Sequence, residues 1–304
     1  MQIIEQNTTF RLPGKSAVAI GKFDGIHLGH QALIHKITEQ KEKGFLATVF
    51  TFDTSASAYF GGEAGELTTR TEKRQIFERM GVDVLIEFPL NPVTAATMPE
   101  EFVHRYLAGQ MQAAYICAGP DLSFGKNGAG SYGLLERLAL EHGYQVELID
   151  KVMVDGEEVS SSRVREAVRQ GQMEAAARML GEAYSVTGTV EHGRMLGRRI
   201  GMPTANLIPE ADKLLPPNGV YYSRVRAAEK YYAGITNVGC KPTVSEERRM
   251  GVETYLYDFT GDIYGRDIRV ELLAFRRQEM KFDSVEKLKA QMLQDIAAGR
   301  NYPG

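Results

Sequence analysis

Cysteine is nearly absent from this chain of 304 residues, occurring only at 117 and 240. Each lies in an apolar or strand-like stretch, which excludes a disulfide framework and a cysteine-based metal site and fits a reducing compartment. An excess of one charge is also missing. Lys and Arg number 36 against 39 Asp and Glu, a net charge of −3, so no global basic field points to nucleic acid. No segment approaches the roughly 18 consecutive apolar residues of a membrane helix. The opening Met1-Gln2-Ile3-Ile4-Glu5-Gln6 lacks a basic-then-apolar leader. The expectation is a cytoplasmic protein, a monomer or weak oligomer, that engages neither membrane nor nucleic acid.

What is present is enough chain for two cores, with 43% hydrophobic and 25% charged residues, ordinary globular values. Up to about residue 180 strand-like and helix-like runs alternate. Ala17–Ile20, Phe45–Phe52, Val82–Phe88, Ala113–Ala118 and Gln145–Ile149 read as strands. Between them Glu72–Met80, Glu100–Gln110 and Tyr132–His142 read as helices, and one further helix carries Val168 and Ala175–Leu180. Such alternation predicts a parallel sheet covered by helices. Beyond Ala183 the runs Ser185–Glu191, Val220–Ala227, Tyr231–Val238, Glu253–Phe259 and Ile268–Phe275 are β-rich with no helix between them. They predict an antiparallel sheet or barrel, closed by a helix over Ser284–Ala298. Residues 1–183 and 184–304 are therefore expected to be separate domains.

The densest motif is Gly21-Lys22-Phe23-Asp24-Gly25-Ile26-His27-Leu28-Gly29-His30. It joins the first buried strand to a helix. His27 and His30, three apart, share a helix face, and the backbone N–H groups and dipole at a helix start favour an anion. A pair of partly buried capping histidines is the alternative that the local pattern leaves. Two further patches follow. Gly119-Pro120-Asp121-Leu122-Ser123-Phe124-Gly125 leaves a strand and opens a glycine-rich loop, or is a plain surface loop. Ser160-Ser161-Ser162-Arg163-Val164-Arg165 opens a helix with hydroxyls, which are common caps, and guanidinium groups, which pair well with phosphate oxygens. In the second half, Pro203-Thr204-Ala205-Asn206 puts Thr204 and Asn206 on one side of an extended segment. Their hard oxygens suit Mg²⁺ beside nucleotide phosphates; an ordinary turn after proline is the alternative.

The first motif resembles the H-x-G-H signature of the nucleotidylyltransferases. Its longer form, G-x-F-D-G-x-H-x-G-H, resembles bacterial bifunctional riboflavin kinase/FMN adenylyltransferases. Gly193-Arg194 through Gly201-Met202-Pro203-Thr204-Ala205-Asn206 is similar to the flavokinase signature of the same family, and the likeness covers essentially the whole chain. It implies a Rossmann-like α/β nucleotidyltransferase domain followed by a β-barrel kinase domain with a terminal helix. It implies phosphorylation of riboflavin to FMN and adenylylation of FMN to FAD, with ATP as co-substrate, Mg²⁺ as cofactor, and riboflavin, FMN and FAD as the other ligands. By that resemblance Gly21, Phe23, Asp24, Gly25, His27, His30, Ser161, Ser162, Arg163 and Arg165 hold ATP for adenylyl transfer. Gly193, Arg198, Gly201, Pro203, Thr204 and Asn206 hold ATP for the kinase, with Thr204 and Asn206 on the metal. Glu253 is the kinase base, although a lone strand glutamate is otherwise a solvated residue. Asp121, Phe124, Arg277 and Glu279 lie near the flavin. One departure stands out: where the family reads T-F-x-P-H-P, this chain reads Thr51-Phe52-Asp53-Thr54-Ser55-Ala56. The alternatives are a chain that works mainly as a kinase, with a weak or redirected adenylyltransferase, and a flavin-responsive regulator.

Overall fold

The computed structural model describes residues 1–54, 59, 61, 65–192, 202–227, 230–242, 248–300 and 302, with backbone alone for 240–242 and 248–249. The chain divides into two compact units, Met1–Ser161 and Ser162–Gly304.

The first unit holds a six-stranded parallel sheet. Its strands are β1 (Gln2–Glu5), β2 (Ser16–Ile20), β3 (Leu46–Phe52), β4 (Val84–Phe88), β5 (Ala113–Ala118) and β6 (Gln145–Leu148), in the order β1-β4-β3-β2-β5-β6. Every residue of β2 and of β4 is buried, as expected of strands covered on both faces. Side chains alternate between two cores. Val18 and Ile20 join Phe50, Ile86 and Phe102 on one face. Ala17 and Ala19 meet Leu33, Ile34 and Ile37 of α1 (Leu28–Glu39) on the other. α2 (Arg70–Arg79) starts at a capping box in which Thr69 and Glu72 satisfy each other's backbone N–H groups, the T-x-x-E pattern of a helix start. Phe102–Gln110 is wound wider than an α-helix and ends with Met111 N–H on the Tyr106 carbonyl at 2.8 Å. α3 (Tyr132–His142) follows, and then an antiparallel hairpin of β7 (Met153–Val154) and β8 (Glu157–Glu158). β1 went unanticipated because four residues are too short for any period to register.

The order along this sheet decides where a ligand fits. From β2 the chain moves outward through β3 to β4 and then returns to place β5 on the other side of β2. The crevice beyond the carboxyl ends of β2 and β5 is a topological switch point. The histidine turn leaves β2 and the Gly119–Gly130 loop leaves β5.

In the second unit the single helix expected up to Leu180 is two, α4 (Ser161–Arg169) and α5 (Met173–Leu180). Gly171, at φ +71°, breaks the run in a conformation that glycine alone adopts cheaply. The barrel is closed in the order β10-β13-β12-β11-β14-β9, from β9 (Tyr184–Glu191), β10 (Thr204–Leu207), β11 (Gly219–Ala227), β12 (Lys230–Pro242), β13 (Arg248–Leu256) and β14 (Asp267–Arg277). Period-two alternation again sorts the residues. Tyr221, Val225, Thr236, Val238, Val252, Thr254 and Leu272 are fully buried and fill the lumen, where Thr236 Oγ1 lies 2.7 Å from Ser223 Oγ and 2.8 Å from Thr254 Oγ1. Val220, Ile235 and Tyr257 take the outer face, beneath Ile296 of α6 (Val285–Arg300). Asp295 of α6, 3% exposed, fastens that helix to the end of β14. It accepts from Arg276 Nε at 2.8 Å, from Arg277 Nη2 at 2.6 Å and from Gln291 at 3.2 Å.

Candidate active sites

The Gly21–His30 turn is strained and then fastened. Phe23 and Ile26 adopt φ of +49° and +41°, with Gly25 at +85° between them. Left-handed backbone costs a non-glycine residue on the order of 1–3 kcal/mol and persists only where the surroundings enforce it. Burial of Phe23 and Ile26 at 0% and 2% exposure supplies part of that enforcement. Hydrogen bonds supply the rest. Asp24 Oδ1 accepts from the N–H of Leu67 at 2.8 Å and of Thr68 at 3.4 Å. Gly25 N–H donates to Thr68 Oγ1 at 2.9 Å. Ser161 Oγ donates to the Asp24 carbonyl at 2.8 Å, and Gln31 Nε2 to the Ile26 carbonyl at 3.0 Å.

The fastened turn presents two imidazoles in parallel. The His27 and His30 rings stack with centroids 3.9 Å apart and planes 17° apart. His27 caps α1, its Nδ1 accepting from His30 N–H at 3.4 Å, so its proton sits on Nε2. Gly29 keeps this spot open, because a Cβ there would lie 3.2 Å from the His27 ring and press on it. The His30 ring leans on Phe23 at 5.1 Å, and its Nδ1 is buried without a hydrogen-bond partner. Burial lowers the His27 pKa to about 4, with the Asp24 charge opposing. Burial also drives His30 well below the usual value, helped by the His27 and Lys73 charges. Both rings are therefore neutral near pH 7. Neutral imidazoles at a helix start offer N–H donors where the dipole already favours negative charge.

Of the other residues expected here, Ser161 ends the first unit and touches the turn. Ser162, Arg163 and Arg165 follow on α4 in the second unit. Phe124 is a core residue, 6% exposed and 5.3 Å from Phe102 between ring centroids. Asp121 is exposed and ion-paired with Lys151 at 2.9 Å.

In the second unit the pairing register sets one polar row across three strands. Asn206 of β10 lies opposite Glu253 of β13, and Glu253 opposite Asn237 of β12, all on the outer face. Thr204, two residues before Asn206, donates its hydroxyl to Glu253 Oε1 at 2.5 Å. Asn206 Nδ2 donates to the Thr204 carbonyl at 3.4 Å. Asn237 Nδ2 continues the row to Glu279 Oε1 at 3.1 Å, and Asn218 Nδ2 reaches Glu279 Oε2 at 3.3 Å. Glu279 also lines a cleft of about 410 Å³ with Gln170, Pro217, Asn218, Phe275 and Gln278. Arg277 is turned to Asp295. Pro203 is exposed just before β10, whereas Gly193, Arg198 and Gly201 lie outside the described residues. A threonine hydroxyl, an amide oxygen and a carboxylate on one face are the hard donors that Mg²⁺ takes. Among the described residues no group of three His, Cys, Asp or Glu could hold a metal ion.

The family model for FAD synthetase matches residues 10–163, and that for riboflavin kinase matches 180–303. A bifunctional riboflavin kinase/FMN adenylyltransferase of Listeria monocytogenes is 33% identical over 282 residues, spanning 91% of this chain and 89% of its own. Its counterpart in Bacillus subtilis is 34% identical over 92% of this chain and 90% of its own. The chain belongs to this family. A crystal structure described as a macrolide-efflux protein of Streptococcus pneumoniae superposes with a TM-score of 0.87 at 29% identity, covering 99% of this chain and 98% of that one. Among the described residues of the present chain no helix is long and apolar enough to cross a membrane.

Two contributors escaped the sequence reading. Thr68 lies 43 residues beyond Gly25, and nothing in the local pattern ties them. Asn237 lies in a segment that shares the family likeness, but its place beside Glu253 is set by register, which the local pattern does not give.

Proposed function

We propose that this family member makes FAD in two steps with two separate ATP sites, residues 1–183 serving the second step and 184–304 the first. In the barrel domain the 5′-hydroxyl of riboflavin attacks the γ-phosphorus of ATP, giving FMN and ADP. Glu253 takes the hydroxyl proton, held in place by Thr204, and the primary alcohol needs such a base because it is a weak acid. Thr204 and Asn206 hold Mg²⁺, which when bound draws charge from the phosphates. Gly193, Arg198, Gly201 and Pro203 complete the nucleotide site, and Arg277 and Glu279 flank the flavin.

In the α/β domain a phosphate oxygen of FMN attacks the α-phosphorus of a second ATP. The bond from that phosphorus to the bridging oxygen breaks, and pyrophosphate departs. Here the chain supplies positioning and charge stabilisation rather than a covalent intermediate. His27 and His30 donate N–H groups to the α-phosphate and to the leaving oxygen. Gly21, Gly25, Ser161, Ser162, Arg163 and Arg165 hold the polyphosphate, Phe23 and Asp24 shape the turn, and Asp121 and Phe124 border the flavin side. We place the enzyme in the cytoplasm, as a monomer or weak oligomer free of nucleic acid and membrane. The two cysteines and the net charge of −3 support that reading.

The observation that carries the proposal is the pairing, in one chain, of a stacked neutral histidine pair with a Thr–Asn–Glu row. His30→Ala should reduce FAD formation roughly 10²–10³-fold while FMN formation continues. Asn206→Ala or Glu253→Ala should do the reverse, and equal losses in both activities would refute the division. A second reading, a chain working mainly as a kinase, draws on Thr54-Ser55-Ala56, which stand where the family resemblance expects P-H-P; Ser55 and Ala56 lie outside the described residues. Pyrophosphate release from FMN and Mg-ATP decides between them.

A further inference from the structure

Lys73 is a lysine held inside the first unit. Its Nζ is 2.7 Å from Glu66 Oε2, and both side chains are only 12% exposed. A fully exposed ion pair would be unremarkable; a largely shielded one that sits against the histidine turn is different. Three observations put it there. Phe77 is four residues further along α2, so the two side chains share a face, and Phe77 packs edge-on against Phe23 at 5.5 Å. Phe23 in turn carries the His30 ring at 5.1 Å. The segment that leads into α2 is bound to the histidine turn through Leu67 and Thr68 on Asp24 and through Gly25 on Thr68. The Lys73 charge is also close enough to His30 to depress its protonation further.

The geometry points to Lys73 as a further catalytic residue of the adenylyl-transfer site, one that gives its ammonium to the departing pyrophosphate in exchange for Glu66. This rests on the reading of the histidine turn given above. The neutral imidazoles supply hydrogen bonds but no positive charge, whereas the leaving group gains negative charge as the bond from the α-phosphorus to the bridging oxygen breaks. An ammonium at this position supplies that charge. Glu66 keeps the lysine paired, where an unpaired and largely shielded cation would be costly. The step stays balanced: FMN and ATP give FAD and pyrophosphate, and Lys73 keeps its protons throughout.

The reverse reaction, FAD plus inorganic pyrophosphate to FMN plus ATP, reads the contact directly in the full-length enzyme. K73M should raise the KM for pyrophosphate roughly 10- to 100-fold, the worth of one charge-assisted hydrogen bond, with the KM for FAD unchanged. K73R should recover most of that loss. E66Q frees the ammonium and should leave the KM for pyrophosphate equal or lower. The double variant K73M/E66Q leaves no lone buried charge and should keep the K73M defect, with riboflavin phosphorylation by the same chain reporting that it is folded. The inference is overturned if K73M and the double variant hold the KM for pyrophosphate within about twofold of wild type. It is equally overturned if E66Q loses as much as K73M, which would make the pair a structural brace. If K73M is silent while His30→Ala abolishes FAD synthesis, this inference alone fails. If His30→Ala is also silent, the reading of the turn falls with it.

Discussion

Asp295 offers the sharpest test of how the barrel holds its terminal helix. It is 3% exposed and is held by Arg276, Arg277 and Gln291, while the two arginines keep 25% and 21% of their side-chain exposure. Breaking a buried ion pair by deleting one partner costs about 3–5 kcal/mol. Asp295→Asn keeps one acceptor oxygen, and the arginines retain some water, so about 2–3 kcal/mol is expected. For a unit of this size each kcal/mol moves the midpoint by about 2–4 °C, so the second unit should melt roughly 4–12 °C lower. Burial raises the Asp295 pKa, but the hydrogen bonds from Arg277 and Arg276 outweigh it and the net direction is down. A carboxyl depressed in the folded state stabilises above its unfolded pKa, about 3.9. That stability fades as pH falls through the folded value. The gap between wild type and variant should therefore be full at pH 7 and close below about pH 4. Calorimetry at both pH values, with riboflavin phosphorylation as the folding readout, measures it. A midpoint change under about 2 °C at pH 7, or a gap that persists at low pH, would refute the reasoning.

Two other outcomes follow from the histidine turn. Burial holds His27 at about 4, so the folded state resists a proton that the unfolded chain accepts near 6.5. Stability from this source is full above pH 6.5 and lost as pH falls toward 4, on the order of 3 kcal/mol in all; His27→Gln should flatten the pH dependence of the first unit's melting over that range. Gly29→Ala places a methyl 3.2 Å from the His27 ring. It should slow FAD formation about tenfold by splaying the stacked pair and leave FMN formation unchanged, as steady-state assays of the two products would show.

Much of this architecture is legible in the sequence, for identifiable reasons. β2 and β4 announce themselves because strands covered on both faces are continuous apolar runs, and the barrel strands because turn residues punctuate them. Thr204 and Asn206 fall on one face because strand alternation is unforgiving. The break at Gly171 is harder to see, since the apolar spacing resumes at Met173 and masks it. Harder still is anything set by register or by contacts distant in sequence. That the Asp24 carboxylate takes the amides of Leu67 and Thr68 is one such contact. The pairing of Arg277 with Asp295 is another. Local pattern reports which residues carry chemistry, but the partner that consumes a charge is chosen by tertiary structure.

The Thr204–Asn206–Glu253–Asn237 row occupies the outside of the barrel wall, while the same strands fill the lumen with Ala205, Thr236, Val238, Val252 and Thr254. Proposed reactive positions and structural ones thus alternate residue by residue along three strands. Selection can rewrite every second position to change a substrate while the intervening ones go on sealing the interior. Altered specificity and a preserved fold are, on this wall, independent choices.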